Sequence, residues 1–131
     1  MLGVHSVNLE AANFMKFGLF ILPSWPDQDT AQQSRAYEEA IEQIQLAEEL
    51  GFDSLLTGDH ILVPRHISSP YPYTEGGEFP GSGSGESMEQ ITLLSYIAGQ
   101  TSKIRLVTSV LIVPHRNPLL AAKSLATLDV L

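Results

Sequence analysis

The chain contains no cysteine. That excludes disulfides, thiolate nucleophiles and zinc or iron–sulfur sites built on Cys. Basic residues are scarce as well: 7 Lys+Arg stand against 15 Asp+Glu, a formal net charge of -8. Such a field repels polyanions, so nucleic acid is not an expected partner. No apolar run approaches the roughly 20 residues of a membrane-spanning helix, so no membrane partner is expected either. Residues 1–14 carry Glu10 but no Lys or Arg, and they lack the long apolar core of a secretory leader. A cytoplasmic protein is the resulting expectation. What the chain does have is apolar matter for a core, 44% of its 131 residues, which is the size of one ordinary domain.

Residues 1–14 show no clear period and read as an N-terminal extension, so the domain is expected over 15–131. Met15 opens a compact strand candidate that Pro23 stops. Asp27, Asp29 and Thr30 offer N-cap chemistry for a helix. Its apolar stripe is Tyr37, Ile41, Ile44, Ala47 and Leu50, at spacings of four and three, and Gly51 stands where the helix should end. A second strand is predicted from about Asp53 to Gly58, followed at once by Asp59-His60. The stretch from Ile61 to Gly85 is a long loop rich in Pro and Gly; it is either a surface excursion or a lid carrying Tyr71 and Tyr73. Ser87 is placed to cap a second helix with apolar positions Met88, Ile91, Leu94, Ile97 and Ala98. The apolar, β-branched run Ile104–Val113 predicts a third strand covered on both faces. Asn117 at N-cap and Pro118 at N1 start a third helix, which is expected to be still in progress at Leu131.

This β-α-β-α-β-α order implies an α/β fold with parallel strands and right-handed crossovers. Composition and periodicity leave two closures open. One is a small doubly wound domain. The other is the first part of a (β/α)8 TIM barrel, which needs about 250 residues.

Several motifs, in order, bear on that choice. They are Met15-Lys16-Phe17-Gly18-Leu19-Phe20, then Ala47-Glu48-Glu49-Leu50-Gly51-Phe52-Asp53-Ser54-Leu55, then Gly58-Asp59-His60. Thr101–Leu111, Asn117–Lys123 and Ala126-Thr127-Leu128-Asp129 follow. Together they resemble the opening of the bacterial luciferase-like monooxygenase family. The resemblance implies a partial TIM barrel holding the first three βα units, and a parent enzyme that uses coenzyme F-420 or FMN. Asp-His after the second strand, where flavin-using members more often carry Glu-His, favours the coenzyme F-420 branch. A small-molecule substrate and a homo-oligomeric full-length form are implied too. Val107, where the family commonly has Gly, and Glu86-Ser87-Met88-Glu89, which lacks the usual Trp and Pro, depart from the pattern. The alternatives are a non-catalytic fragment or flavin-binding relative, and a free-standing α/β binding domain.

The resemblance assigns His60 as the catalytic residue, a proton carrier beside the coenzyme ring. An imidazole suits that work because it titrates near neutrality. The plainer reading is a His bonded to backbone at a strand end. Asp59 is implied to be cofactor-binding, or else a carboxylate that caps the loop; in extended backbone it points away from His60. Ser109 and Val110 are implied to form a cis peptide behind the coenzyme ring, against an ordinary trans strand. His115 and Arg116 either touch substrate or lie in a solvated turn. His66 is expected to be exposed, and Trp25 either lines the pocket or packs at the surface. A metal site drawn from His60, His66, His115, Asp59 and Asp53 lacks helical i, i+4 ligand spacing, and no metal is expected. Phosphate seats in such barrels are usually built after strands seven and eight. Residues 1–131 alone are therefore expected to bind coenzyme poorly and to be catalytically silent.

Overall fold

A computed structural model describes residues 15–21, 30–64, 66–79 and 87–131. The expectations for residues 1–14, Trp25, and the caps Asp27 and Asp29 lie outside them. The elements are β1 (Gly18–Ile21), α1 (Thr30–Glu49), β2 (Ser54–Thr57), α2 (Gln90–Ala98), β3 (Arg105–Thr108), a 3-10 turn (Val113–His115) and α3 (Pro118–Leu128). The strands form one sheet in the order β1-β2-β3. Both pairings are parallel, with Leu19, Leu55 and Leu106 in one row and Phe20, Leu56 and Val107 in the next.

That register sorts the side chains, because neighbours along a strand face opposite sides. Leu19, Ile21, Leu55 and Leu106 face the helices and pack with Ile44 of α1, Leu93 and Ile97 of α2, and Ile104. Burying one such side chain fully is worth about 1.5–3 kcal/mol. Gly18, Phe20, Leu56 and Val107 face the other way, and Phe20 and Val107 stay exposed. Both α1 and α2 thus cover the same face of the sheet. A doubly wound sheet carries helices on both faces; this sheet is covered on one and open on the other, among the described residues.

Some elements differ from the sequence reading. The α1 stripe is correct through Ala47, but Leu50 is exposed, because the chain leaves the helix at Gly51. Gly51 has φ of 85°, the left-handed region that favours glycine. Glu89, not Ser87, caps α2: its carboxylate accepts from Thr92 N–H at 2.7 Å, three positions into the helix. The Ser87 hydroxyl is buried without a hydrogen-bond partner. The third strand is shorter than its apolar run. It ends at Thr108, the Ser109–Val110 peptide is cis, and the chain then enters the 3-10 turn. Helix α3 starts as expected, with Asn117 Oδ1 accepting from Leu119 and Leu120 N–H. It ends at Leu128 with Asp129 as C-cap, short of Leu131, as the last bonds tighten from Val130 N–H to Thr127 O.

The entry to β3 is tied to α1. One oxygen of Glu48 accepts from the N–H groups of Ser102, Lys103 and Ile104 at 2.8, 2.5 and 2.8 Å. These bonds, Ile104 first, hold the Glu48 carboxyl below its usual range. At the same end of the sheet, Asp53 pairs with Lys16 and Arg105. The acidic side chains at this end thus fasten the strand entries and leave the opposite, C-terminal mouth for other work.

Candidate active site

At the C-terminal mouth of β2 the chain runs Gly58-Asp59-His60, with the first two buried and His60 half-buried. The two ionisable side chains diverge, as extended backbone dictates. The His60 ring meets the Phe79 ring edge-on, with centroids 5.5 Å apart and planes at 71°. Phe79 in turn meets Tyr71 at 5.0 Å, and Tyr71 meets Tyr73 at 5.3 Å. The long loop is folded back on itself: Tyr71 N–H donates to Gly77 O at 2.7 Å, and Gly77 adopts φ of 70°. The loop therefore sets a wall of aromatic rings beside His60. Edge-to-face pairs of this kind contribute about 0.5–1.5 kcal/mol beyond the area they bury.

Asp59 faces inward. Its Oδ2 accepts from Ile112 N–H at 2.8 Å, and both its oxygens receive the Arg116 guanidinium, at 2.5 and 2.8 Å. The Arg116 hydrogen bond is the main reason its carboxyl lies below the usual range; burial opposes this, and the Ile112 bond adds to it. Arg116 reaches Glu89 as well, at 2.6 and 3.0 Å. Burial works against the charge on Glu89, but the Thr92 backbone and Arg116 outweigh it and leave that carboxyl lowered.

Next to Glu89, Gln90 is fully buried, and its Nε2 donates to Thr57 O at 2.8 Å and Val110 O at 3.2 Å. The cis Ser109–Val110 peptide is thus pinned to the β2 exit, with the Ser109 N–H also donating to Thr57 O at 2.9 Å. The Val110 side chain itself is exposed. The structure therefore brings His60, Asp59, Ser109 and Val110 to one mouth. His66 and His115 are exposed. Among the described residues no three His, Asp or Glu side chains are grouped so as to hold a metal ion.

Arg116, Glu89 and Gln90 are the residues the sequence reading missed or misplaced. Arg116 stands in neither a solvated turn nor an open substrate contact. The one hint in the sequence was an arginine after the third strand in a chain with few cations; its pairing with Asp59, 57 positions away, had no local signal.

Residues 15–131 match the family described as luciferase-like monooxygenase. The chain belongs to that family. Uncharacterized proteins of Mycobacterium bovis and Mycobacterium tuberculosis are 31% identical over 84 residues, which is 64% of this chain and 30% of theirs. The crystal structure of monooxygenase RslO1 from Streptomyces bottropensis superposes with a TM-score of 0.57 at 31% identity. That match covers 88% of this chain and 29% of RslO1. The chain thus spans about three tenths of the length of these proteins. Among the described residues no helix is long and apolar enough to cross a membrane.

Proposed function

We propose that these residues form the first three βα units of a luciferase-like oxidoreductase barrel, in which His60 moves a proton at a coenzyme ring. The observation that carries this is the placement of His60. It is a half-buried imidazole at the C-terminal mouth of a parallel strand, on a sheet that, among the described residues, helices cover on one face only, in a chain of this family. That mouth is where parallel barrels gather their chemistry.

The residues fit a planar redox ring. The open face of the sheet is apolar at Phe20, Leu56 and Val107, Val110 is exposed at the mouth, and the rings of Phe79 and Tyr71 flank His60. The Asp59-His60 pair supports coenzyme F-420 over FMN, and either coenzyme, when bound, supplies hydride chemistry. The chain's own residues then have separate tasks. Val110 and Ser109 would back the ring. His60, with no ion pair among the described residues, would hold or release the proton that balances a hydride leaving or entering a small-molecule substrate. Asp59 acts on the mouth through its position. The anionic tail of the coenzyme would be seated elsewhere, because Arg116, the guanidinium at this mouth among the described residues, is already held by two carboxylates.

The test uses the whole protein. Titration with oxidised coenzyme F-420, and separately with FMN, is expected to give stoichiometric binding of one, with residues 1–131 alone binding far more weakly. His60→Ala is expected to keep that binding and lose about 10²–10⁴-fold in turnover. Binding of neither coenzyme rejects the reading, and unchanged turnover in His60→Ala removes His60 from the chemistry.

A further inference from the structure

Arg116 lies between two carboxylates that come from different elements. Its Nη1 and Nη2 donate to Asp59 at 2.5 and 2.8 Å, and its Nε and Nη2 donate to Glu89 at 3.0 and 2.6 Å. The Arg116 side chain is 10% exposed and that of Asp59 1%. The planar fork of a guanidinium matches this double use, and little of it is left to meet a ligand. Each carboxylate also takes a backbone N–H, Ile112 for Asp59 and Thr92 for Glu89. One side chain therefore ties together the β2 exit, the α2 N-terminus, the turn after β3 and the start of α3.

We propose that Arg116 is a positioning residue, which locks Asp59 into the wall of the mouth and so fixes the backbone from which His60 projects. The catalytic consequence rests on the function proposed above; the clamp itself does not. Burial is what separates this pair from an ordinary surface ion pair, which water and salt weaken to little. A carboxylate this deep becomes a liability once its partner is gone. Among the described residues the groups facing Asp59 are Arg116, the Ile112 N–H and, more remotely, His115, all from the segment between β3 and α3. From α2, Glu89 faces the same guanidinium, so removing Arg116 leaves two anions without their shared cation.

The experiment is amide hydrogen exchange on the protein free of coenzyme, comparing the parent with Arg116→Met, Arg116→Lys and the double variant Arg116→Met/Asp59→Asn. Arg116→Met is expected to speed exchange tenfold or more at Ile112 and at His115, whose N–H groups are held by Asp59 and by Ile112 O, and to leave the amides of the β1–β2 ladder unchanged. Adding Asp59→Asn is expected to restore much of the protection, because the amide still accepts from Ile112 without a buried charge. Uniform acceleration throughout the sheet, or no acceleration at the mouth, overturns the proposal. If Arg116→Met does not fold, Arg116→Lys decides: it keeps the charge and loses the fork, so the same local set should loosen to a smaller degree, and a uniform or absent change overturns the proposal. In the whole enzyme, turnover should fall at least tenfold with substrate KM little changed. Local loosening with unchanged turnover would overturn the catalytic consequence while leaving the clamp in place; the role of His60 is decided separately by His60→Ala.

Discussion

At the residue scale, Gln90 sets a sharp condition on this mouth. Its Nε2 is the donor shared by Thr57 O and Val110 O, and the side chain is fully buried. In Gln90→Glu a carboxylate oxygen would replace that donor and face two carbonyl oxygens. The expected cost is about 3 kcal/mol or more near neutral pH, the scale of a buried charge left without a partner. Desolvation would raise the pKa of the new carboxyl in the folded state above its unfolded value. The folded variant then binds the proton more tightly than the unfolded chain does, so the penalty shrinks as pH falls and a protonated carboxyl can donate again. Urea unfolding of the variant at about pH 7 and about pH 5 should show that partial recovery. Equal penalties at both values would mean that the side chain escapes to water.

At the element scale, Glu48 of α1 determines how β3 enters the sheet. Its carboxyl is lowered by the backbone bonds from Ile104, Lys103 and Ser102. A lowered folded pKa contributes stability that is present above the unfolded Glu value of about 4.3 and lost as pH falls through the folded value. Glu48→Gln should therefore be less stable than the parent by about 1 kcal/mol near neutral pH, and the two should converge in acid. Thermal unfolding across that range checks it, and a constant gap would show that charge is not the cause. The α1 stripe through Ile44 and Ala47 was legible in the sequence because a helix repeats locally. β3 was read too long, because an apolar run continues unchanged through the cis Ser109–Val110 peptide and the turn that follows it. Asp59-His60 was legible from its place after an apolar run. The clamp beneath it was not, since Arg116 is 57 positions from Asp59 and 27 from Glu89, and no local period links them.

At the scale of the whole molecule, the open face of the sheet carries the argument. Phe20 is 52% exposed and Val107 37% exposed on the face opposite the helices. The sheet order also leaves one side of β1 and one side of β3 without a strand neighbour among the described residues. An apolar face with free strand edges invites association with a second copy. Residues 1–131 alone should therefore associate as concentration rises, and light scattering should show Phe20→Lys/Val107→Lys shifting them towards monomer. In the longer barrel protein proposed above, the same pair should act in the opposite direction. If the proposed barrel closes around this face, each lysine is forced into a packed interior, at a cost of several kcal/mol. The double variant should then be more soluble as residues 1–131 and markedly less stable as the complete chain. A variant that leaves the complete chain as stable as its parent would show that this face looks onto solvent there too, and the barrel reading would fall with it.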